Sequence, residues 1–177
     1  MVLSQKFFNQ PTIQAAKNLL GKFLVRHCRG NNIAVIVTEV EAYDGPHDLA
    51  SHASRGIRER NKVMFGEAGC FYVYFTYGMH WMLNIVTGPK NYPAAVLIRA
   101  GIVFTKNGNK KILNGPAKLT KHLKIGKRFN GRIANKKTGL WLEDRGINIK
   151  PSQIIARKRI GVDYAGRWAK KPYNFSI

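Results

Sequence analysis

The sequence predicts a mixed α+β fold around a mainly antiparallel sheet. Three observations carry that expectation. Short apolar stretches with strand-like alternation outnumber helical periodicities. Tight Gly and Asn turns join successive strands, so hairpins outnumber βαβ crossovers. The chain has 177 residues, 45% of them hydrophobic, which suits one domain over residues 1–177 with a real core.

From the N-terminus, Pro11 to Leu20 reads as a short helix. Ile13, Ala16, Leu19 and Leu20 share one side, and Gly21 suits its C-terminal end. Phe23 to His27 reads as a strand, and Gly30-Asn31-Asn32 as the turn into a second strand, Ile33 to Tyr43. Asp44-Gly45-Pro46 ends that strand. His47 to Gly69 is polar and turn-rich and reads as a long ordered loop, a type that often carries function. Cys70 to Tyr77 is an aromatic strand. Gly78 turns the chain, and Trp81 to Val86 returns antiparallel. Ala94 to Ala100 is a third apolar strand. Asn114-Gly115-Pro116 resembles a helix start, with Asn114 as cap and Pro116 in the first turn. Lys118, Lys121, His122 and Lys124 decorate that helix. Asn130 to Thr138 reads as an exposed loop, and Leu140–Leu142 and Ile147–Ile149 as short strands.

Charge narrows the partner. Thirty Lys+Arg against nine Asp+Glu give a net charge of +21. Residues 1–88 carry only +3, whereas residues 89–177 carry +18. Such an excess repels itself and points to a polyanion. Nucleic acid fits better than a membrane surface, because the basic residues are spread through fold-forming sequence rather than gathered on one amphipathic helix. No apolar run approaches the roughly 20 residues of a membrane span. The N-terminus lacks the pattern of a secretory leader, so a cytoplasmic protein is expected. The two cysteines form no CxxC pair, and no His-x-x-x-His occurs, so no metal is expected.

Strand alternation places Val35, Val37, Glu39, Glu41 and Tyr43 on one face. Two carboxylates at the end of an apolar strand suit general acid–base work if buried, although structural pairing with arginines is the commoner use of such a pair. Six aromatics lie between Phe71 and Trp81. Phe71, Val73 and Phe75 read as core. Tyr72 and Tyr74 share the other face and suit either core or base stacking. Ser51 to Gly56 holds His52 and Arg55, with Arg58, Arg60 and Lys62 close behind; a solvated loop explains them as well as a site does.

Taken together, several strings resemble the alkyladenine (3-methyladenine) DNA glycosylase family. They are Glu39-Val40-Glu41-Ala42-Tyr43-Asp44-Gly45-Pro46, Ser51-His52, Asn61 to Gly66, Tyr72 to His80, Asn84, Val96 to Ala100, Asn114 to Leu119, Arg159 to Gly166 and Trp168 to Pro172. The likeness runs in order through nearly the whole chain. It departs at Val40, where many members carry threonine. The resemblance implies a compact domain on a curved antiparallel sheet with flanking helices. It implies a monomer without metal or cofactor that cleaves the N-glycosidic bond of alkylated or deaminated purines in duplex DNA. By position, Glu41 matches the catalytic carboxylate, and Arg99 an arginine beside the catalytic water and the DNA backbone. Tyr43, His52 and Tyr74 match the residues that line the pocket and stack on an extruded base. Asn84 matches a pocket-edge residue that discriminates against guanine, and Tyr77 the side chain that fills the gap in the duplex. Lys118 is a phosphate contact candidate, with Lys121, Arg157, Lys158 and Arg159. No lysine interrupts the aromatic–carboxylate segments, so a Schiff-base lyase step is not expected. The rival reading is a non-catalytic RNA- or DNA-binding module, which suits the charge and the aromatic strand but leaves Glu39 and Glu41 without a role.

Overall fold

A computed structural model describes residues 1–105 and 107–177. The basic stretch Lys106 to Lys111 therefore begins on a residue outside the described set. Twelve elements organise the chain: α1 (Gln5–Phe8), α2 (Thr12–Leu19), β1 (Phe23–Cys28), β2 (Asn31–Tyr43), β3 (Phe71–Thr76), β4 (His80–Val86), β5 (Ala95–Phe104), β6 (Lys110–Leu113), α3 (Pro116–His122), β7 (Leu140–Glu143), β8 (Ile155–Arg157) and β9 (Asn174–Ser176). Among the described residues the nine strands form one sheet with the central order β3-β4-β5-β2-β1-β7. Every pairing is antiparallel. The sheet does not close. Instead, the segment after α3 reaches from β3 to β1, with Phe71 N–H donating to Arg132 O and His27 N–H to Gly139 O.

Both predicted hairpins form. β1 pairs with β2 from Phe23↔Ile36 to Cys28↔Asn31, and β3 pairs with β4 from Phe71↔Ile85 to Thr76↔His80. α2 ends as expected, since Gly21 takes φ +77 and a Cβ there would meet Ile149 at 2.9 Å. That contact explains one correction. Ile147–Ile149 is no strand; the stretch runs as unpaired chain whose isoleucines cover Gly21. A second correction concerns α3, whose cap is Gly115 at φ +107 and not Asn114, while Pro116 does open the helix. The predicted third strand, Ala94 to Ala100, continues to Phe104, and β6 pairs with that extension. The tail holds two strands, β8 and β9, that local patterning does not announce.

The core lies on one face of the sheet. Leu24, Val35, Val37, Val40, Ala42, Phe71, Val73, Leu83, Ile85, Val96 and Ile98 point into it, and Ala16 and Leu19 of α2 and Leu119 of α3 cover it. Each fully buried leucine there contributes about 1.5–3 kcal/mol of transfer free energy. Phe75 does not join this core as expected. It is 44% exposed near the open end of β3, where its ring lies 4.7 Å from that of Trp81.

β2 changes the face it buries partway along its length. Val35 and Val37 are odd-numbered, whereas Val40 and Ala42 are even. The β2–β5 register slips between Val37 and Glu39 and again between Glu39 and Val40. This bulge corrects the simple alternation, which put Val35 and Val37 on the carboxylate face. One extra residue rotates the end of β2, so Glu39, Glu41 and Tyr43 leave the core for the opposite face.

Candidate active site

The face opposite the core carries a cavity of about 460 Å³. Glu41 and Tyr43 from β2, Tyr72 and Tyr74 from β3, Asn84 from β4 and Arg99 from β5 line its inner wall. His52, Arg60 and Met64 come from the long loop before β3, and Ile160 and Tyr164 from the tail. The loop is ordered by the short 3-10 turns His52–Arg55 and Lys62–Phe65. Asn61 ties them together by donating to His52 O at 2.8 Å and Gly56 O at 2.9 Å.

Glu41 is fully buried and sits in a cage of donors. Its Oε1 accepts from Ile160 N–H at 2.8 Å and Asn174 Nδ2 at 3.2 Å, and lies 3.4 Å from Arg99 Nη1. Its Oε2 accepts from the Tyr43 hydroxyl at 2.9 Å. Every partner is a donor, the set that an acceptor-only carboxylate takes. Burial, and then the Glu41 carboxylate, push the Tyr43 hydroxyl well above its ordinary pKa, which keeps its proton available for that bond. Glu39 does not face the cavity. It holds Arg99 Nε at 2.9 Å and Asn174 Nδ2 at 2.8 Å, so it positions the two groups that position Glu41.

The aromatic wall is continuous. His52 meets Tyr74 edge to face at 4.7 Å, and the rings of Tyr72 and Tyr74 lie 5.2 Å apart. The Tyr72 hydroxyl and His52 Nδ1 share a hydrogen bond of 2.9 Å. Burial, and then the Arg60 cation, hold the His52 imidazole down to about 4, so it is uncharged at neutral pH. Burial pushes the Tyr72 hydroxyl up to about 12. Arg60 stands 5.0 Å over the Tyr74 ring. Asn84 is buried and donates to Tyr72 O at 3.1 Å, which fixes its amide at the cavity edge.

Two expected residues lie at the mouth. Tyr77 is 80% exposed at the β3–β4 tip, with φ +51 followed by Gly78 at φ +64. It lines the cavity rim. Lys118 is exposed in the first turn of α3, and Pro116, two residues earlier, lines the cavity. Arg99 lies between two carboxylates rather than on an open surface. Arg159 corrects another expectation. It is no phosphate contact but a fully buried partner of Asp48, bonded through both Nη atoms. Its guanidinium also covers Tyr43 at 4.8 Å and Tyr173 at 5.3 Å, which backs the cavity-side tyrosine with a fixed plane.

The sequence reading did not single out Asp48, Asn174 or the Ile160 amide. Glu39 and Glu41 pair in register with Ser176 and Asn174 of β9, a contact across more than 130 residues with no local signature. In the sequence Arg60 is one basic residue among several. Among the described residues, no group of three or more His, Cys, Asp or Glu is gathered as metal ligands, and no helix is long and apolar enough to cross a membrane.

Known proteins resemble this sequence along nearly its whole length. The model of the methylpurine-DNA glycosylase family matches residues 6–177. A provisionally named 3-methyladenine DNA glycosylase of Methanocella arvoryzae is 42% identical over 98% of this chain and 91% of its own length. Provisionally named counterparts from an Anaeromyxobacter species and from Legionella pneumophila are each 41% identical, over 100% and 99% of this chain and 89% and 93% of their own lengths. A family match over residues 6–177, together with relatives 42% and 41% identical over nearly all of the chain, shows that it belongs to the methylpurine-DNA glycosylase family.

Proposed function

We propose that the protein is a monomeric, monofunctional DNA glycosylase of base excision repair that hydrolyses the N-glycosidic bond of alkylated or deaminated purines. The observation that carries this reading is Glu41, buried at the floor of an aromatic cavity wide enough for a purine. A base inside a duplex presents no open path to its glycosidic bond, so the nucleotide must rotate out, at a cost of a few kcal/mol that damage reduces. Tyr77, exposed at a hairpin tip, suits the gap left behind. Tyr43, Tyr74 and His52 supply faces and an edge for the extruded base, and the bond then breaks through an oxocarbenium-like sugar. Glu41 Oε2 accepts one hydrogen bond within the protein and a carboxylate oxygen takes two, which leaves a position for the attacking water. Ionised Glu41 takes the water's proton and stabilises the sugar cation. Arg99 and Asn174 hold it in place. Among the described residues no lysine lines the cavity.

The test is base release from alkylated duplex with EDTA present. Wild type is expected to liberate free 3-methyladenine. Glu41→Gln is expected to bind DNA normally and lose release by about 10²-fold or more, the scale of a general base. Full release by Glu41→Gln, with loss in Glu39→Gln, would reassign the catalytic carboxylate. A wild-type protein that binds duplex and releases no base would favour the binding-module reading.

A further inference from the structure

Positive charge also gathers at a cavity away from the base pocket. A second cavity of about 700 Å³ lies where the segment after α3 crosses β1. Arg26, His27, Arg128, Arg132 and Lys137 line it, and among the described residues no Asp or Glu does. It shares no lining residue with the base pocket. Arg26 lies on the same face of β1 as Leu24, which packs in the core, whereas the base pocket opens on the opposite face of the sheet.

Arg26 makes this a built site. It is only 5% exposed, yet no carboxylate meets it. Nη1 donates to the carbonyls of Gly139, at 2.8 Å, and His27, and Nε, buried, finds no acceptor among the described residues. Arg26 and Arg128 each stand 4.9 Å from the centroid of the Phe129 ring, so two guanidinium groups share one aromatic plate. Burial, and then the charge of Arg128, hold Arg26 below its ordinary pKa. Two guanidiniums against one ring, neither meeting a carboxylate among the described residues, favour a bound anion. The guanidinium fork matches phosphate oxygens, and the cavity has room for more than one phosphate.

We propose that this cavity is a phosphate-binding site, distinct from the base pocket, that takes either the backbone of a second nucleic-acid segment or a free polyphosphate. The paired guanidiniums supply the charge.

Tripolyphosphate titrated into the full chain tests the site. The variant Arg128→Gln/Arg132→Gln removes two exposed cations, and Lys6→Gln/Lys110→Gln removes the same charge elsewhere. The first is expected to bind tripolyphosphate roughly tenfold more weakly or worse, as the loss of one charge-assisted contact implies. The second should bind as wild type does. A second arm saturates the protein with a duplex carrying a stable abasic analogue, then adds labelled undamaged duplex. A ternary complex lost in Arg128→Gln/Arg132→Gln identifies nucleic acid as the source of the phosphate; tripolyphosphate binding alone identifies a free anion. Should that variant fail to fold, Lys137→Gln, on an exposed loop, is expected to weaken both ligands in the same direction. The proposal is overturned if neither ligand binds wild type, or if both double variants weaken binding equally. It is also overturned if base release by Arg128→Gln/Arg132→Gln falls in step with binding, since the cavity would then belong to the duplex already held at the base pocket.

Discussion

Single side chains at this site act by what they prevent. His52 is ordinarily half-protonated near pH 6.5, but burial and Arg60 keep it neutral down to about 4. Between those values the unfolded chain binds a proton that the folded chain refuses. Stability from this residue is therefore complete above about 6.5 and declines as the pH falls toward about 4. We expect His52→Gln to flatten that part of the curve, measured as melting temperature against pH beside wild type. An unchanged slope would show that His52 is not the titrating group. The same neutrality suits the pocket, since a second cation beside Arg60 would oppose a positively charged alkylpurine. Asp48 and Arg159 act differently. Neither touches the cavity's reacting end, but together they hold the tail so that Ile160 N–H reaches Glu41.

At the scale of elements, two features decide the chemistry. The first is the bulge in β2. Gly101 pairs with Val37 at its edge, and a Cβ there would collide with Val35 Cγ1 and Ile36 O. We expect Gly101→Ala to cost about 1–3 kcal/mol by overpacking, read by chemical denaturation. Base release should fall further than stability accounts for, because the bulge aims Glu39 and Glu41. Wild-type values on both measurements would remove the bulge from the mechanism. The second feature is the β3–β4 hairpin, whose tip residue Tyr77 is 80% exposed and contributes little packing. Tyr77→Ala should keep the melting temperature within a few degrees, since surface changes usually fall within ±0.5 kcal/mol. It should weaken binding to a duplex with an abasic analogue much more than binding to undamaged duplex, because phosphate contacts remain in both. A sharp fall in melting temperature, or equal weakening of both DNAs, would return Tyr77 to a structural role.

The whole molecule carries +21, and +18 of that lies in residues 89–177. Repulsion on this scale destabilises the chain unless a polyanion offsets it. Binding to undamaged duplex should therefore weaken steeply with salt, with log K changing by about −0.9 per phosphate neutralised for each unit of log salt. Fluorescence anisotropy across a salt series reads the slope. A flat line would mean that the charge serves something other than nucleic acid. Part of this charge lies beside each cavity. α3, with exposed Lys118 and Lys121, lies beside the base pocket, and the segment around Arg128 and Arg132 lies beside the second cavity.

The sequence alone determined the antiparallel hairpins and the ordered loop before β3, and its resemblance to a known family pointed to Glu41, Tyr43, His52, Tyr74 and Asn84 of the cavity lining. Those features rest on local patterns: apolar alternation, turn glycines and short strings that few folds share. It could not determine which way the carboxylates face. Strict alternation grouped Glu41 with Val35 and Val37, and only pairing with β5 revealed the extra residue that separates them. Nor could it tell Arg159 from its neighbours Arg157 and Lys158. All three look like surface cations until Asp48, 111 residues away, claims one of them. Asn174 carries no mark of its role, since its partners Glu39 and Glu41 lie at the other end of the chain. Local propensity decides which segments become strands; burial of charge and register between distant strands are settled only when the sheet assembles, because each depends on a partner that the local sequence does not contain.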